Sequence, residues 1–446
     1  MTPRADLAGR VEAQFAGVRA DLESLVRIAS VSAEGPGTPG MRACIDRVEA
    51  LLAAEGLRTQ RLAVPDAPPA LFAARPARDG APTVLLYAHY DVQPPGPAEE
   101  WSGAPFEPRE ADGRLYGRGA SDDKGGIAIH LGALRALDAD TAVGIKVIVE
   151  GEEELGSPHM RALLAASGDL LAADVIVVAD SEHWRVGAPA ITTTQRGLAD
   201  CIVEVRTLAQ AVHSGQFGGA VPDALSALAR LLATLHDDAG NVAVAGLDAG
   251  TPPAVDVPEA ELRATSGMVA SVSLIGSGAI AERLWTRPAI AVLAIDAPAV
   301  RDAINQLVPV ARAKVSLRLA PGQEPERARE LLVRHLESHA PWGAEVTVTP
   351  GAAAPGFAVT QRGAAFDAFA AGMAEAWGAE VTEIGIGGSI PLVSALAERF
   401  PAATILVTGV GDPSSRIHGP DESQDLGELR RAILAEALAL DALGRG

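Results

Sequence analysis

The feature that most constrains the fold is an apolar, β-branched run that recurs three times and ends each time in polar residues. The runs are TVLLYAHYDV from Thr83, GIKVIVEGEEE from Gly144 and DVIVVADSE from Asp174. Helical patterns separate them, at residues 125–137 and 159–166. Alternating strands and helices predict a mixed, mostly parallel sheet that helices cover on both faces. Ligands of such sheets bind beyond the carboxyl ends of the strands, so the polar residues should meet there.

Further elements flank these runs. Amphipathic helices are predicted at residues 6–29 and 41–55, the second closed by Gly56. A helix at residues 366–377 and the strand ATILVTG should rejoin the first sheet.

A second pattern occupies the middle of the chain. LADCIVEVRT, AIAVLAI, ARAKVSLRL and AEVTVTP read as strands, and residues 223–235 and 326–339 read as helices. Their order, βαββαβ, is that of a ferredoxin-like α+β sandwich. Residues 239–258 read as a loop inside it, and GAAAPGF as the linker that returns to the first domain. We therefore predict a domain at 197–354 inserted between the two parts of the first domain, 1–196 and 355–446.

Composition excludes several classes of protein. Apolar residues make up 48% of the chain and charged residues 21%, as in globular proteins with a large core. The net charge of −20 repels nucleic acid and anionic membranes, so neither is expected as a partner. Cys44 and Cys201 are far apart and predict no disulfide framework. Because no signal peptide or membrane-length apolar run is found, we expect a cytoplasmic protein.

Five polar clusters carry the chemistry. They contain His89 and Asp91, Asp122 and Asp123, Glu152 to Glu154, Asp180, and His418. Taken singly, each has an ordinary structural explanation, such as a packed histidine, a helix cap or a solvated glutamate. Together, two imidazoles and three carboxylates could hold a pair of zinc-like cations, one carboxylate bridging them, and a further carboxylate could act as a base.

The motifs also resemble a known family. HYDVQPP, GRGASDDKGG, EGEEELGS, VVADSEHW, ITTTQRGL, AVHSGQFGG, GGSIP and the late His418 are similar, in order, to those of the M20 metallopeptidases, especially the carnosinase-like dipeptidase branch. The resemblance spans roughly residues 6–440. It implies a metal-dependent hydrolase that cleaves the amide bond of dipeptides or small peptides with a water between two divalent ions. Zinc is the first expectation for these ions, with manganese or cobalt as alternatives.

The resemblance also implies roles for individual residues. The metal ligands would be His89 and Asp180 for one ion, Glu154 and His418 for the other, and Asp122 as the bridge. Asp91 would orient the His89 ring rather than bind metal. Glu153 would be the general base, although Glu152 leaves the register of the three glutamates open by one residue.

The resemblance makes the inserted domain a lid and dimerisation domain, and it implies substrate contacts there and in the second part of the first domain. His213 would stabilise the oxyanion from the partner subunit of a homodimer. Arg318, Gly388 and Ser389 would bind the substrate carboxylate. Gly385 to Gly388 replace the Arg-Glu that often precedes GGSIP in the family, and a histidine common in the dipeptidase branch is missing from VTPGAAAPGF. These departures argue against carnosine as the substrate but not against hydrolysis.

Two alternatives stay open. An aminoacylase, deacylase or carboxypeptidase acting on N-acyl amino acids would share every metal residue and differ in the substrate pocket. A catalytically silent binding protein could also use the same fold, although an intact Glu153 beside a full ligand set argues against it.

Overall fold

The computed structural model describes residues 3–137, 140–388 and 390–445. Its strands are β1 (Arg58–Leu62), β2 (Ala70–Arg75), β3 (Thr83–His89), β4 (Arg109–Ala111), β5 (Arg114–Tyr116), β6 (Gly144–Glu150), β7 (Val175–Ala179), β8 (Ala190–Gln195), β9 (Gly197–Arg206), β10 (Val212–His213), β11 (Ala289–Asp296), β12 (Gln306–Leu307), β13 (Val310–Leu319), β14 (Glu345–Ala354), β15 (Phe357–Ala358), β16 (Thr382–Ile386), β17 (Thr404–Thr408) and β18 (Ser423–Asp425). Its α-helices are α1 (Pro3–Val26), α2 (Pro39–Ala54), α3 (Lys124–Ala136), α4 (Met160–Leu171), α5 (Ser214–Phe217), α6 (Ala224–Ala233), α7 (Glu259–Ser266), α8 (Pro325–Ser338), α9 (Ala364–Trp377), α10 (Pro391–Arg399) and α11 (Leu426–Arg445).

The chain forms two compact units. The first comprises Met1–Thr193, Val359–Ile384 and Ile390–Gly446, and the second comprises Thr194–Ala358 and Gly385–Ser389. The predicted insertion, 197–354, falls within the second unit. Residues 385–388 were assigned by sequence to the first domain, whereas they cluster here with the second unit.

A largely parallel sheet forms the centre of the first unit, in the order β1-β2-β6-β3-β7-β17-β8, and β16 pairs with β8. Its middle strands β6, β3, β7 and β17 are parallel, whereas β1, β2 and β8 pair antiparallel with their neighbours. A separate small sheet has the order β18-β5-β4. The predicted mixed, mostly parallel α/β fold is therefore confirmed.

Burial on both faces explains why the central strands read as unbroken apolar runs. Val84, Leu86 and Ala88 of β3 belong to a core that also includes residues of α1, α2, α3, α9 and α11. Leu85 and Tyr87, which alternate with them, are also fully buried. Since successive side chains of a strand point to opposite faces, both faces of this strand are covered.

A buried lysine ties the end of α1 to the polar edge of the sheet. Lys124 Nζ donates to the carbonyl oxygens of Leu25 at 3.0 Å and Ile28 at 2.7 Å. Leu25 lies in the last turn of α1, where carbonyls lack donors within the helix, and Ile28 follows the helix. The start of α3 is thereby fixed against the N-terminal helix.

The second unit has a four-stranded antiparallel sheet in the order β11-β13-β9-β14. Helices α6 and α8 pack on it, and the chain order β9-α6-β11-β13-α8-β14 is the predicted βαββαβ. Its core consists of alternate strand residues, such as Cys201, Val203 and Val315, and of leucines from both helices.

Parts of the second unit differ from the sequence prediction. The linker predicted at residues 351–357 begins later, because β14 continues to Ala354 beyond a register shift after Pro350. Helix α7 and a π-helical turn at Glu282–Thr286 were not predicted. Helix α7 has few apolar residues and no buried residues, so its sequence carries little periodic signal.

Both cysteines, Cys44 and Cys201, are buried and free. Among the described residues, no helix is both long and apolar enough to span a bilayer.

Candidate metal centre

The polar clusters meet at one edge of the first unit's sheet. His89 is the last residue of β3, and Asp180 directly follows β7. Glu153 and Glu154 lie in a short 3-10 turn just after β6, which neighbours β3. Asp122 comes from the Gly-rich turn before α3, and its peptide bond to Asp123 is cis. The carboxyl ends of adjacent parallel strands thus bring the side chains together, as expected for this class of sheet.

Two groups of potential ligands form at this edge. The first contains His89, Asp123 and Asp180, and the second contains Asp122, Glu154 and His418, with ligand atoms in each group within 4.8 Å of one another. The His89 ring is completely buried, whereas the His418 side chain is 53% exposed. One group is therefore deep in the edge, and the other includes a ligand open to solvent.

Asp122 lies against the histidines of both groups. Its Oδ1 is 3.0 Å from His89 Nε2, and its Oδ2 is 2.9 Å from His418 Nε2. His418 Nε2 is also 3.0 Å from Glu154 Oε2, and His89 Nε2 is 3.9 Å from Asp180 Oδ1. A single carboxylate thus presents one oxygen to each side, which is the arrangement that a bridging ligand requires.

The protonation equilibria reflect crowded buried charge. Burial, together with the negative charge of Glu153, raises the pKa of Asp180 well above its usual range. Hydrogen bonds to Asp122 and Glu154 raise the pKa of His418 to about 10. Burial lowers the pKa of His89, but its hydrogen bonds to Asp122 and Asp91 outweigh this and raise it well above its usual value.

The donor set fits divalent cations. Carboxylate oxygens and imidazole nitrogens are ligands that zinc and similar ions take in proteins. The carboxylates gathered here outnumber the imidazoles, and buried negative charge needs positive charge nearby. Cations at this edge would provide that charge and would leave the imidazoles neutral, as metal ligands are.

Asp91 orients both an imidazole and the acidic turn. Its Oδ1 is 3.3 Å from His89 Nδ1 and accepts the Glu153 N–H, and its Oδ2 accepts the Glu154 N–H, both at 3.2 Å. Because the carboxylate faces Nδ1, the opposite nitrogen of His89 points toward Asp122. The backbone carbonyl oxygen of Asp91 also lies 3.1 Å from His89 Nδ1. A carbonyl and a carboxylate behind a histidine in this way fix the ring and its tautomer.

The three consecutive glutamates face different ways. Glu152 turns away from the cluster and toward His159. Its Oε1 accepts the backbone N–H of His159 at 2.9 Å, and its Oε2 lies 2.9 Å from His159 Nδ1. Glu153 Oε2 lies 4.0 Å from His89 Nε2, and burial raises the pKa of Glu153 to about 7. Glu154 accepts the Gln93 N–H through Oε1 and faces His418 through Oε2. Only Glu153 and Glu154 of the three point into the site.

An acidic residue near the site, Glu422, was not predicted from the sequence. Glu422 is completely buried and accepts backbone N–H groups from Gly119, Ser121 and Asp122 at 3.0 to 3.1 Å. Its Oε2 also accepts from Arg118 Nη1 at 2.6 Å. Its proximity to His418 in the motif IHGPDE was the one available signal.

The guanidinium of Arg118 extends this connection to the second histidine. Arg118 Nη2 donates to the backbone carbonyls of His418 at 3.1 Å and Gly419 at 3.3 Å. The pair Arg118–Glu422 therefore joins the turn that carries Asp122 to the loop that carries His418.

The remaining predicted site residues that the structure describes belong to the second unit. His213 is exposed on β10, and its Nδ1 accepts the Gly215 N–H at 3.1 Å. Arg318 is half-buried on β13, and burial lowers the pKa of its guanidinium. Gly388 is exposed, whereas Ser389 lies outside the described residues. The roles predicted for these residues stay predictions.

Comparison with known proteins identifies the family. The model of peptidase family M20/M25/M40 matches residues 85–441. A cysteinylglycine-S-conjugate dipeptidase of Corynebacterium striatum is 38% identical over 394 residues, which are 87% of this chain and 86% of that protein. Human beta-Ala-His dipeptidase is 32% identical over 286 residues, 60% of this chain and 56% of that one. The structure of human carnosine dipeptidase 1 shares the fold, with a TM-score of 0.81, 24% identity and complete coverage of both chains. The chain therefore belongs to the M20 family of metallopeptidases.

Proposed function

We propose that the protein is a dinuclear metal dipeptidase that hydrolyses the amide bond of dipeptides. The observation that carries the proposal is Asp122, whose two oxygens face His89 on one side and His418 on the other. Asp180 would complete the site of the first ion, and Glu154 that of the second. The structure also brings Asp123 to the first group, but both of its oxygens already accept backbone N–H groups, from His89 and Gly126.

The metal ions would supply a water of lowered pKa and polarise the scissile carbonyl. Zinc suits the oxygen and nitrogen donors, and manganese or cobalt could take the same ligands.

Glu153 is the proposed general base. It is close to His89 without sharing a hydrogen bond with it, so Glu153 Oε2 is available to take a proton from water and pass it to the leaving amine. Asp91 supports the same chemistry by holding the backbone N–H of Glu153 while it faces the His89 ring.

Substrate binding would fall to the second unit. Arg318 has no carboxylate within salt-bridge distance in the part of the chain that is described, so its guanidinium is suited to a substrate carboxylate. Gly388 and Ser389 are proposed to complete that pocket. The names of the two relatives indicate that one acts on cysteinylglycine S-conjugates and the other on beta-Ala-His. This chain lacks the Arg-Glu that often precedes GGSIP in the family, and its absence near Gly385 favours cysteinylglycine S-conjugates as the substrate type here.

His213 is proposed to donate to the oxyanion from the partner subunit of a homodimer. Because its Nδ1 accepts from Gly215, the neutral ring carries its proton on Nε2, which is the donor that this role needs. Strand β11 supports the dimer, since it is an edge strand with exposed Val292, Leu293 and Ile295. Such an edge is a surface for pairing with another chain.

Metal content and turnover of two neighbouring variants test the proposal. Glu153→Gln should keep both metal ions after dialysis and lose about 10² to 10⁴-fold in kcat, because only proton transfer is affected. Glu154→Gln should bind one ion more weakly, because a neutral amide replaces a charged ligand. Glu152→Gln is the matched control and should keep both ions, since its carboxylate faces His159.

If Glu153→Gln loses metal and Glu154→Gln keeps it, then Glu153 is the ligand and Glu154 is the base. Retention of metal and activity by both variants would refute the dinuclear site. Assays of dipeptides against N-acyl amino acids separate a dipeptidase from a deacylase, and absence of turnover with full metal occupancy would indicate a silent binding protein.

A further inference from the structure

A cavity of about 580 Å³ lies within the second unit. It is lined by Arg196 and by residues of the segment between His236 and Ile290, which includes α7 and the π-helical turn. None of the residues gathered at the metal centre takes part in it. The volume is within the range of pockets that hold small organic ligands, about 300 to 1,000 Å³.

Most of the cavity wall is apolar. Val242, Leu247, Leu262, Leu274 and Ile280 contribute to it, and Leu284 comes from the π-helical turn. Of the first five residues, all except Ile280 are only partly buried. These side chains therefore line open space rather than a closed core. An apolar body in the cavity would remove that surface from water, which is favourable.

The charged groups of the wall are mainly cationic. Three guanidinium groups, from Arg196, Arg283 and Arg287, line the cavity, and Asp248 is its one acidic residue among those described. Arg287 forms an ion pair with Glu282, with 3.0 Å between Nη2 and Oε2. This concentration of positive charge is unusual in a chain whose net charge is −20.

Arg196 and Arg283 have no such partner. Arg196 donates to the carbonyls of Gly387 at 3.1 Å and Arg283 at 3.3 Å, and Arg283 donates to carbonyls that include Ile275 at 2.9 Å. No carboxylate of the described residues lies within 4.0 Å of either guanidinium. Burial and the neighbouring charge of Arg318 lower the pKa of Arg196 to about 10, so it stays protonated at neutral pH. Each group retains N–H donors that could meet an anion, since a guanidinium has five.

We propose that this cavity binds a small organic anion with an apolar body, such as a medium-chain or aryl carboxylate. The carboxylate would contact Arg196 and Arg283, and the apolar part would lie against Leu262, Leu274 and Ile280. Guanidinium groups bind carboxylates through paired hydrogen bonds, and the apolar wall selects against inorganic anions, which would leave it exposed.

The position of Arg196 gives the ligand a route to the substrate pocket. Besides its side-chain bond to Gly387, the Arg196 backbone N–H donates to Ile386 O at 3.3 Å. These residues directly precede Gly388, for which a role in binding the substrate carboxylate is proposed. A ligand on Arg196 should therefore change KM more than kcat, and this consequence rests on the proposed function.

Calorimetric titration of the full-length, metal-loaded protein with octanoate tests the binding site itself. Octanoate should bind saturably with one molecule per chain, whereas octanamide, which has the same length and no charge, should bind about tenfold or more weakly. Arg283→Gln should weaken octanoate by a similar factor. Leu274→Trp, which places a larger ring in the cavity, should weaken octanoate and octanamide alike.

Arg301→Gln is the matched control, because Arg301 is 86% exposed in the same unit and does not line the cavity. It should leave octanoate affinity unchanged. Circular dichroism melting verifies that each variant is folded, and Leu274→Trp keeps the test decisive if Arg283→Gln does not fold. No saturable binding of octanoate, or equal binding by the wild type and Leu274→Trp, would overturn the proposal.

A dipeptide added at saturation to Glu153→Gln, in which hydrolysis should be slow, identifies the source of the anion. Displacement of octanoate would show that an apolar group of the substrate occupies the cavity, and undisturbed binding would show a separate ligand. Because calorimetry requires no turnover, the binding result is independent of whether the protein hydrolyses dipeptides.

Discussion

Replacing Glu422 with glutamine should destabilise the first unit and weaken metal binding together. The Glu422 carboxylate accepts from Arg118 and Gly119 on one oxygen and from Ser121 and Asp122 on the other. Glutamine has nearly the same shape, but its NH₂ group must face one of these pairs of donors. Two hydrogen bonds are then lost, and the buried guanidinium of Arg118 no longer has a counter-charge.

The structure sets the size of the effect. Hydrogen bonds to a charged group contribute about 1.5 to 3 kcal/mol each. Removing one partner of a buried ion pair costs about 3 to 5 kcal/mol. This cost already includes part of the energy of the lost hydrogen bonds, so the two figures are not added. Both sides of this pair are almost inaccessible, at 1% and 0% exposure, so solvent cannot replace the charge. We therefore expect the free energy of unfolding to fall by about 3 to 5 kcal/mol.

Urea denaturation of the metal-free protein measures this change without a contribution from bound ions. Metal content after dialysis measures the second effect, since Asp122 and the backbone of His418 are held by this pair. Glu398→Gln removes a surface ion pair with Arg161 and should change stability by less than about 1 kcal/mol. If Glu422→Gln is as stable as the control and retains its metal, the carboxylate does not hold the two loops together.

Three further outcomes are expected. Arg318→Lys should raise KM for dipeptides with a free carboxylate more than for their C-terminal amides, because an ammonium cannot form a two-pronged contact; equal effects on both substrates would make Arg318 structural. Mixing inactive His213→Ala chains with inactive Glu153→Gln chains should restore part of the activity if the histidine acts across a dimer, whereas an active monomer in light scattering would exclude this. Burial lowers the pKa of His130, but the charge of Glu436 and their hydrogen bond outweigh it and raise that pKa. The pair therefore stabilises the fold below the unfolded pKa of about 6.5, and the loss of stability in Glu436→Gln should shrink as the pH rises through the higher folded pKa, measured by urea denaturation.

The fold class and the family could be predicted because they depend on repeated, local signals. Each of β3, β6 and β7 is an apolar run buried on both faces, and each is followed by polar residues at the edge where the candidate metal centre lies. The mostly parallel sheet and the family resemblance are confirmed. The ligand assignments stay predictions, although the structure brings His89, Asp122, Glu154, Asp180 and His418 to that edge.

Other features depend on contacts that no local pattern records. Strands β1 and β2 were not predicted, since RTQRL is polar and ALFAAR is too short to show a period. Glu422 and Arg118 are about 300 residues apart in the chain, and their importance comes from hydrogen bonds to backbone groups. Backbone N–H groups are the same at every position, so side-chain identity alone could not show which of them an acid would accept.

Three buried carboxylates show how the edge of the sheet is organised. Asp91 accepts the N–H groups of Glu153 and Glu154, Asp123 accepts that of His89, and Glu422 accepts that of Asp122. These acids hold the backbone of segments whose side chains face the site. A buried carboxylate is costly unless donors surround it, and backbone N–H groups supply those donors here.

The acidic character of this edge therefore has two separate origins. Some carboxylates fix the positions of backbone segments, and others are directed at the proposed metal ions. Because the first kind is satisfied by hydrogen bonds within the protein, it positions the segments that carry the proposed ligands, which reduces the reorganisation that cation binding requires. Adjacent residues divide these tasks: Asp122 faces both histidines, whereas Asp123 caps α3 through the Gly126 N–H. The motif SDDKGG thus places a proposed ligand and the residue that supports it in consecutive positions. Backbone geometry, rather than residue type, determines which aspartate takes which role.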